Sequence, residues 1–157
     1  MSLRIDVLTR EVLERELDAL LSIDAEVPLA FAEPWSREHF LHELPGKWTY
    51  SMAASDAGGI AAFAIFSVKG EALHLHRIVV RRECRRHGIA TRFYLTAARR
   101  GMADGYRYVT AKVAACNEAA LAMQRRVGGR VCGSEGSNVL WMHDAAILAS
   151  QGPAGAA

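Results

Sequence analysis

The spacing of apolar residues changes several times along the chain, and each change marks the end of one predicted element and the start of another. Alternation of apolar and polar residues indicates strands, whereas apolar residues three and four positions apart indicate helices. Strands are predicted at residues 3–8, 48–54, 60–68, 72–80, 106–114, 130–132 and 139–143. Helices are predicted at about 10–24, 37–44, 88–103 and 117–127. The order β-α-α-β-β-β-α-β-α-β-β predicts an α/β domain.

Length and composition agree with one folded domain. The chain has 157 residues, of which 51% are hydrophobic, and this is enough for a core of its own. We therefore predict a single domain over residues 1–149. Residues 150–157 read Ser-Gln-Gly-Pro-Ala-Gly-Ala-Ala, and we expect them to form a disordered tail.

Several classes of protein are disfavoured by what the sequence contains. No apolar run approaches the roughly 20 residues of a membrane span, and the N-terminus has no signal-peptide pattern, so we expect a cytoplasmic protein without a membrane partner. Cys84, Cys116 and Cys132 lack the spacing of a disulfide framework and are expected to be free thiols. Cys84 and His87 resemble half a zinc site, but the other half is missing, so no metal is expected.

The stretch from Leu73 to Gly101 carries the strongest chemical signal. A predicted strand runs into a loop with four arginines, at positions 81, 82, 85 and 86, and a helix then begins near Gly88. The first N–H groups of a helix lack internal partners and attract anions, and a glycine lets a phosphate approach the backbone. We therefore predict an anion site here. Nucleic acid is a weaker alternative, because the loop lacks aromatic residues on which bases stack.

Residues 85–90, Arg-Arg-His-Gly-Ile-Ala, fit the acetyl-CoA motif Q/R-x-x-G-x-G/A, so this region resembles the GNAT acetyltransferases. The predicted element order agrees with that family over about residues 3–145. The resemblance implies the GNAT acyltransferase fold, a mixed, mostly antiparallel sheet flanked by helices. It also implies acetyl-CoA as cosubstrate. The residues implied to bind it are Ile78, Val79, Val80, Arg85, Arg86, His87, Gly88, Ile89, Ala90, Thr91, Asn117 and Gln124.

A second part of the resemblance lies in the helix at 117–127, and it is incomplete. Asn117-Glu118-Ala119-Ala120-Leu121 is similar to the helix signature of the ribosomal-protein-alanine acetyltransferases, in which the asparagine contacts the pantetheine arm. Gln124 stands where that family has the tyrosine that protonates the leaving thiolate. A glutamine can donate a hydrogen bond but cannot act as an acid, so the resemblance leaves the acid unassigned.

His74 and His76 are the predicted catalytic residues. They are two positions apart on a strand, so both side chains face the same side of the sheet. An imidazole with a pKa near ~6.5 suits a base at neutral pH. His74-Leu75-His76 resembles the strand of serotonin N-acetyltransferase, which implies that the pair takes the amine proton through water. Lys112 stands where the ribosomal-protein enzymes place a glutamate base. The alternative is two polar residues on a half-exposed strand.

These observations predict an acetyl-CoA-dependent N-acetyltransferase that works by direct attack of a primary amine. A backbone N–H at Val79 or Val80, where the family's strand bulges, is expected to bind the acetyl oxygen. A small cationic acceptor is expected, because residues 1–45 hold four arginines against ten acidic residues, a net charge of −6. Asp24, Glu26 and Glu33 fall in the loop that covers the acceptor site in this family.

Three other predictions stay open at this point. The acceptor can instead be a peptide or protein N-terminus. Lys112 and Gln124 also suggest a non-catalytic module that binds acetyl-CoA. The sequence allows a monomer or a homodimer.

Overall fold

The structure, a computed structural model, describes residues 2–151. Its strands are β1 (Arg4–Val7), β2 (Met52–Asp56), β3 (Gly59–Lys69), β4 (Ala72–Val80), β5 (Tyr108–Ala114), β6 (Arg130–Glu135) and β7 (Asn138–Asp144). Its helices are α1 (Arg10–Arg15), α2 (Leu17–Asp24), α3 (Arg37–Leu41), α4 (Lys47–Tyr50), α5 (Ile89–Ala103), α6 (Glu118–Arg126) and α7 (Ala145–Ala149). A short 3-10 turn, Arg82–Cys84, lies between β4 and α5.

All seven strands form one sheet in the order β1-β2-β3-β4-β5-β7-β6. Neighbouring strands are antiparallel except β4 and β5, which are parallel. The predicted mixed, mostly antiparallel sheet with flanking helices is therefore confirmed. The β4–β5 pairing begins at Ala72 opposite Tyr108 and ends at Leu75 opposite Ala111, although both strands continue beyond that point. The carboxyl halves of β4 and β5 consequently leave a gap in the sheet.

The core lies on both faces of the sheet because β3 is buried along almost its whole length. On one face, Phe66 and Leu73 contact Phe93 and neighbouring residues of α5. On the other, Phe63 and Ile65 lie in a cluster with residues of α1, α2 and α3. Burial of apolar surface on both faces stabilises the central strands, and these strands position the gap.

The first predicted helix is divided in the structure. Glu16, at φ −99° and ψ 14°, lies outside the α-helical region, so the expected helix 10–24 becomes α1 and α2. Thr9 caps α1, since its side chain accepts a hydrogen bond from the N–H of Val12.

The segment predicted as a strand at 48–54 begins instead as a helical turn. Gly46 adopts φ 74°, and α4 starts directly after it. The buried Lys47 donates from Nζ to the carbonyl oxygens of Phe40 and His42, at 2.6 Å each, which holds this turn against the end of α3. A lysine is usually exposed, so the hydrophobic pattern of the sequence does not indicate that Lys47 is buried or that a helical turn begins there.

The chain end also differs from prediction. Asp144 caps an unpredicted short helix, α7, by accepting from the N–H groups of Ala146 and Ile147. Residues 152–157 of the predicted tail lie outside the described residues, whereas Gln151 donates from Nε2 to the carbonyl of Val127 at 2.7 Å. None of the helices within residues 2–151 has the length and apolar character needed to cross a membrane.

Candidate active site

The gap between β4 and β5 opens into a cleft of about 340 Å³. A bulge in β4 accompanies it: Leu75 is opposite Phe66 and Arg77 is opposite Ile65, so His76 is one extra residue in β4. Bulges bend a strand and increase its twist, which accounts for the separation of β4 from β5 directly beyond Leu75. The family resemblance implies a bulge near Val79 and Val80. In the structure the bulge lies earlier in β4, at His76.

The register beyond the bulge decides which backbone groups of β4 face the cleft. Arg81 donates its N–H to the carbonyl of Ala61 at 2.8 Å. Hydrogen-bonded pairs alternate along an antiparallel ladder, so Val79 directs its N–H and C=O to β3. Ile78 and Val80 direct theirs to the open side. The prediction that the N–H of Val79 binds the acetyl oxygen is therefore wrong, because this N–H faces β3. The N–H groups of Ile78 and Val80 face the cleft and can donate.

The loop after β4 presents backbone N–H groups at one end of the cleft. Arg86 adopts φ 65° and Gly88 adopts φ 74°, so the chain turns sharply just before α5. No side chain caps the start of α5, and its first internal bond runs from Arg92 N–H to Gly88 C=O. The N–H groups of Ile89, Ala90 and Thr91 therefore have no helical partner. These three donors lie where the sequence predicts an anion site.

Side chains of the loop add positive charge and fix its shape. The guanidinium of Arg86 is exposed, whereas Arg85 donates from Nε to the carbonyl of Val80 at 3.0 Å. The ring Nδ1 of His87 lies 2.8 Å from the carbonyl of Arg85 and 3.2 Å from that of Cys84. An arginine-rich loop at a helix start fits a pyrophosphate by charge and by hydrogen-bond donors.

His74 and His76 lie on the same face of the sheet, as their spacing predicts, with ring centroids 4.8 Å apart. Nδ1 of His74 lies 2.8 Å from the hydroxyl of Thr110, and Nε2 of His76 lies 2.6 Å from the hydroxyl of Ser67. His76 lines the cleft. Burial, followed by the charge of Lys69, lowers the pKa of each imidazole to about 4. Both rings are therefore neutral at pH 7, and both are weaker bases than expected.

The acidic residues of the acceptor loop have partners elsewhere in the chain. Asp24, only 1% exposed, binds Arg77 through two bonds of 2.7 and 3.0 Å and accepts from the N–H of Trp35 at 2.7 Å. Glu26 accepts from the N–H of Arg82 at 2.7 Å and lies 4.0 Å from Arg85. Of the three carboxylates that suggested a cationic acceptor, Asp24 is therefore neutralised by Arg77, and Glu26 is already hydrogen-bonded to the backbone.

Helix α6 forms the wall of the cleft opposite β4. Asn117 lines the cleft and caps α6, since its Oδ1 accepts from the N–H of Ala120 at 3.2 Å. Gln124 also lines the cleft, but its side chain is buried between Tyr94 and His143. Tyr94 falls at an apolar position of the helical pattern of residues 88–103. Helical periodicity does not distinguish a tyrosine of the core from one beside a site, so its phenol was not predicted.

These features define a class: an α/β domain with a cleft between two parallel strands and unpaired backbone donors at the start of a helix. The profile of the acetyltransferase (GNAT) family matches residues 15–128, and the chain belongs to this family. It is an acetyl-CoA-dependent N-acetyltransferase. Within residues 2–151, no group of three or more His, Cys, Asp or Glu side chains is arranged to hold a metal ion.

Solved structures of other acetyltransferases have the same fold. The ribosomal-protein-S18-alanine N-acetyltransferase from Escherichia coli superimposes with a TM-score of 0.74 at 19% identity, covering 91% of this chain and 94% of that one. The PaiA N-acetyltransferase from Thermoplasma acidophilum, in complex with coenzyme A, gives 0.72 at 17% identity, covering 92% and 99%. Ard1 from Thermoplasma volcanium gives 0.73 at 15%, covering 90% and 96%. No curated protein sequence is significantly similar to the chain.

Proposed function

We propose that this protein transfers an acetyl group directly to a primary amine, with His74 and His76 as the proton-accepting pair. Acetyl-CoA supplies the acetyl group as a thioester. A C–N bond forms, the C–S bond breaks, the amine loses one proton and the sulfur leaves as a thiolate. The observation that carries the proposal is the position of the neutral His76 in the cleft, at the bulge where β4 separates from β5.

The protein contributes binding groups and a proton acceptor. The N–H groups of Ile89, Ala90 and Thr91, with Arg85 and Arg86, bind the phosphates in this proposal. The N–H groups of Ile78 and Val80 bind the pantetheine arm and the acetyl oxygen. His76 takes the amine proton, directly or through water, and His74 supports it from the adjacent position.

The environment of the histidine pair favours an acceptor whose amine is partly uncharged at neutral pH. A base with a pKa near 4 removes a proton poorly from a fully protonated alkylamine. The ammonium group of Lys69 lies near the pair and disfavours a second cation. An α-amino group, with a pKa of about 7.7–8.0, is neutral far more often than a lysine-like amine at about 10.4.

We therefore propose the α-amino group of a peptide or protein N-terminus as the acceptor. The small cationic amine expected from the charge of residues 1–45 is the competing possibility. Its support is reduced because Asp24 is bound by Arg77 and Glu26 by the N–H of Arg82.

The test is an acceptor screen with purified protein, in which release of free coenzyme A is measured. The panel contains a polyamine, free amino acids, tetrapeptides with a free N-terminus, and the same tetrapeptides with a blocked N-terminus. The proposal predicts release with the free tetrapeptides and none with the blocked tetrapeptides. A preference for the polyamine, weakened by salt, supports the cationic acceptor instead. Binding of acetyl-CoA without release in any arm contradicts catalysis by the histidine pair.

Three finer predictions accompany this proposal. We expect the protein to be cytoplasmic and to bind neither nucleic acid nor membrane. We also expect it to be a monomer or a homodimer. Light scattering on the purified protein distinguishes the last two states.

A further inference from the structure

Lys112 lies across the gap between β4 and β5 from the histidine pair. Ala111 is the last residue of β5 that pairs with β4. The next residue along each strand is Lys112 on β5 and His76 on β4, and both line the cleft. Lys112 is also two positions after Thr110, whose hydroxyl contacts His74, so its side chain leaves β5 on the face that carries the histidines. A long cationic side chain therefore lies beside the proposed proton acceptor.

The charged side chains that line the cleft are positive. Within residues 2–151 they are Arg77 and Lys112, and no carboxylate is among the lining residues. Arg77 is bound by the buried carboxylate of Asp24, through contacts of 2.7 and 3.0 Å. The side chain of Lys112, in contrast, is 36% exposed. The positive charge that an acceptor meets in the cleft therefore belongs to Lys112.

Glu135 is the partner of Lys112 in the structure, and it can be replaced by an acceptor. Its Oε1 lies 3.0 Å from Nζ of Lys112, but the glutamate side chain is 68% exposed on the edge strand β6. Ion pairs between such exposed side chains contribute little, because water solvates both groups well when they separate. A carboxylate that a bound acceptor holds beside Lys112 can therefore take the place of Glu135.

Other lysines give the surroundings of the histidines the same sign of charge. Burial is the main cause of the lowered pKa of His76, and the charges of Lys69, Lys47 and Lys112 lower it further. Nζ of Lys47 is bound by backbone carbonyl oxygens, which are neutral, so these contacts do not cancel its charge. An acceptor that carries a carboxylate next to its amine is attracted to such a surface, whereas a second cation is repelled.

We propose that Lys112 selects acceptors with a carboxylate close to the reacting amine, namely peptide N-termini with Asp or Glu at the first or second position. The inference rests on the proposed function and adds the class of peptide. Consecutive Cα atoms are about 3.8 Å apart, so the first two side chains of a peptide whose α-amino group lies at His76 are within reach of a lysine across the gap. Lys112 binds the carboxylate by a charge-assisted hydrogen bond and transfers no proton, so it determines specificity.

The test compares kcat/KM for matched tetrapeptides. One set carries Glu, Gln or Lys at the second position, and the other carries Asp or Asn at the first. The wild type should prefer each acidic peptide over its amide counterpart by about tenfold, and salt should weaken this preference. Lys112→Gln should lose the preference, mainly through KM. Lys112→Glu should reverse it in favour of the peptide with Lys.

Glu135→Gln is the matched control, because it removes the same ion pair but leaves the ammonium of Lys112 in place. This variant should keep or increase the preference for acidic peptides, since the carboxylate that competes with the acceptor is gone. An equal loss of the preference in Glu135→Gln and Lys112→Gln shows that the ion pair has a structural role only, and it overturns the inference.

The remaining outcomes separate the inference from the proposed function. Acetylation of every peptide without an effect of charge, or a preference of the wild type for the peptide with Lys, overturns the inference and leaves the proposed function standing. Faster acetylation of free amino acids than of any peptide shows that the carboxylate is the acceptor's own, which overturns both. Binding of acetyl-CoA without acetylation of any peptide contradicts the proposed function itself.

Discussion

The two sides of the cleft differ in how the chain builds them. The proposed phosphate site comes from one continuous segment, because the loop and the first turn of α5 supply the backbone donors of residues 85–91. The acceptor side comes from β3, β4, β5 and the loop after α2, whose residues are far apart in the sequence. The local sequence of a continuous segment is enough to predict its binding groups. A surface assembled from several strands depends on contacts between distant residues, which the local sequence does not show.

Asp24 illustrates this difference. Its carboxylate falls in an acidic segment, yet the guanidinium that neutralises it belongs to Arg77, 53 positions later. Lys112, similarly, lies 3.0 Å from Glu135. The net charge of a sequence segment is therefore a poor predictor of the charge at a site that is assembled from several strands.

The largest expected effect is on the acceptor side. Replacing both His74 and His76 by Ala should lower turnover by about 10²–10⁴-fold, the usual contribution of a positioned base. Acetyl-CoA affinity should stay unchanged, because neither ring lies in the phosphate loop. Steady-state kinetics with an acceptor from the screen, together with calorimetry, measure both quantities. Full activity of the double variant at neutral pH would place the base elsewhere.

The pH profile of the wild type sharpens that prediction. Since the pKa of each imidazole is lowered to about 4, kcat/KM should show no inflection near pH 6.5 that depends on these residues. Any rise between pH 6.5 and 9 should follow the pKa of the acceptor amine instead. An inflection near pH 6.5 that disappears in the double variant would contradict the lowered pKa values.

On the coenzyme side, Gly88→Glu should weaken acetyl-CoA binding by about 100-fold. The substitution places a side chain at φ 74° and a carboxylate beside the phosphate donors. Gly105→Glu is the matched control, because Gly105 has φ 91° with open space around it at the far end of α5. Calorimetry should separate the two variants. Equal affinities in Gly88→Glu and Gly105→Glu would exclude this loop as the phosphate site.

The next largest effect concerns the anchor of the acceptor loop. Asp24→Asn removes the partner of the buried Arg77 and should lower the free energy of unfolding by about 3 kcal/mol. Asp18→Asn, at an exposed position of α2, is the control and should leave stability unchanged. Urea denaturation measures both. If Asp24→Asn matches Asp18→Asn, the pair does not hold the loop to β4.

The smallest effect is a loss of stability in mild acid. The folded-state pKa values of His74, His76 and His143 are lowered from 6.5 to about 4. Between these values the unfolded chain binds more protons, so the free energy of unfolding rises with pH from 4 to 6.5 and falls on acidification. Denaturation across this window should show a weaker pH dependence for the double His74→Ala, His76→Ala variant. An identical dependence would show that the two rings are not desolvated in the folded protein.

Local patterns predicted most of the fold and the turn into α5, because alternation, helical spacing and the motif around Gly88 each need only neighbouring residues. Three features could not be predicted from local patterns. The turn at Lys47 depends on carbonyls of another helix, the bulge at His76 depends on pairing with β3, and the hydroxyl of Tyr94 depends on Gln124 across the cleft wall. Each is a contact between segments, so no local pattern identifies it.

A structure of the protein with coenzyme A bound is the most direct measurement. We predict that the pantetheine arm occupies the gap beyond Leu75 and Ala111, and that the pyrophosphate contacts the N–H groups that begin α5. Coenzyme A bound elsewhere, or β4 and β5 paired along their full length in the complex, would contradict this description of the site.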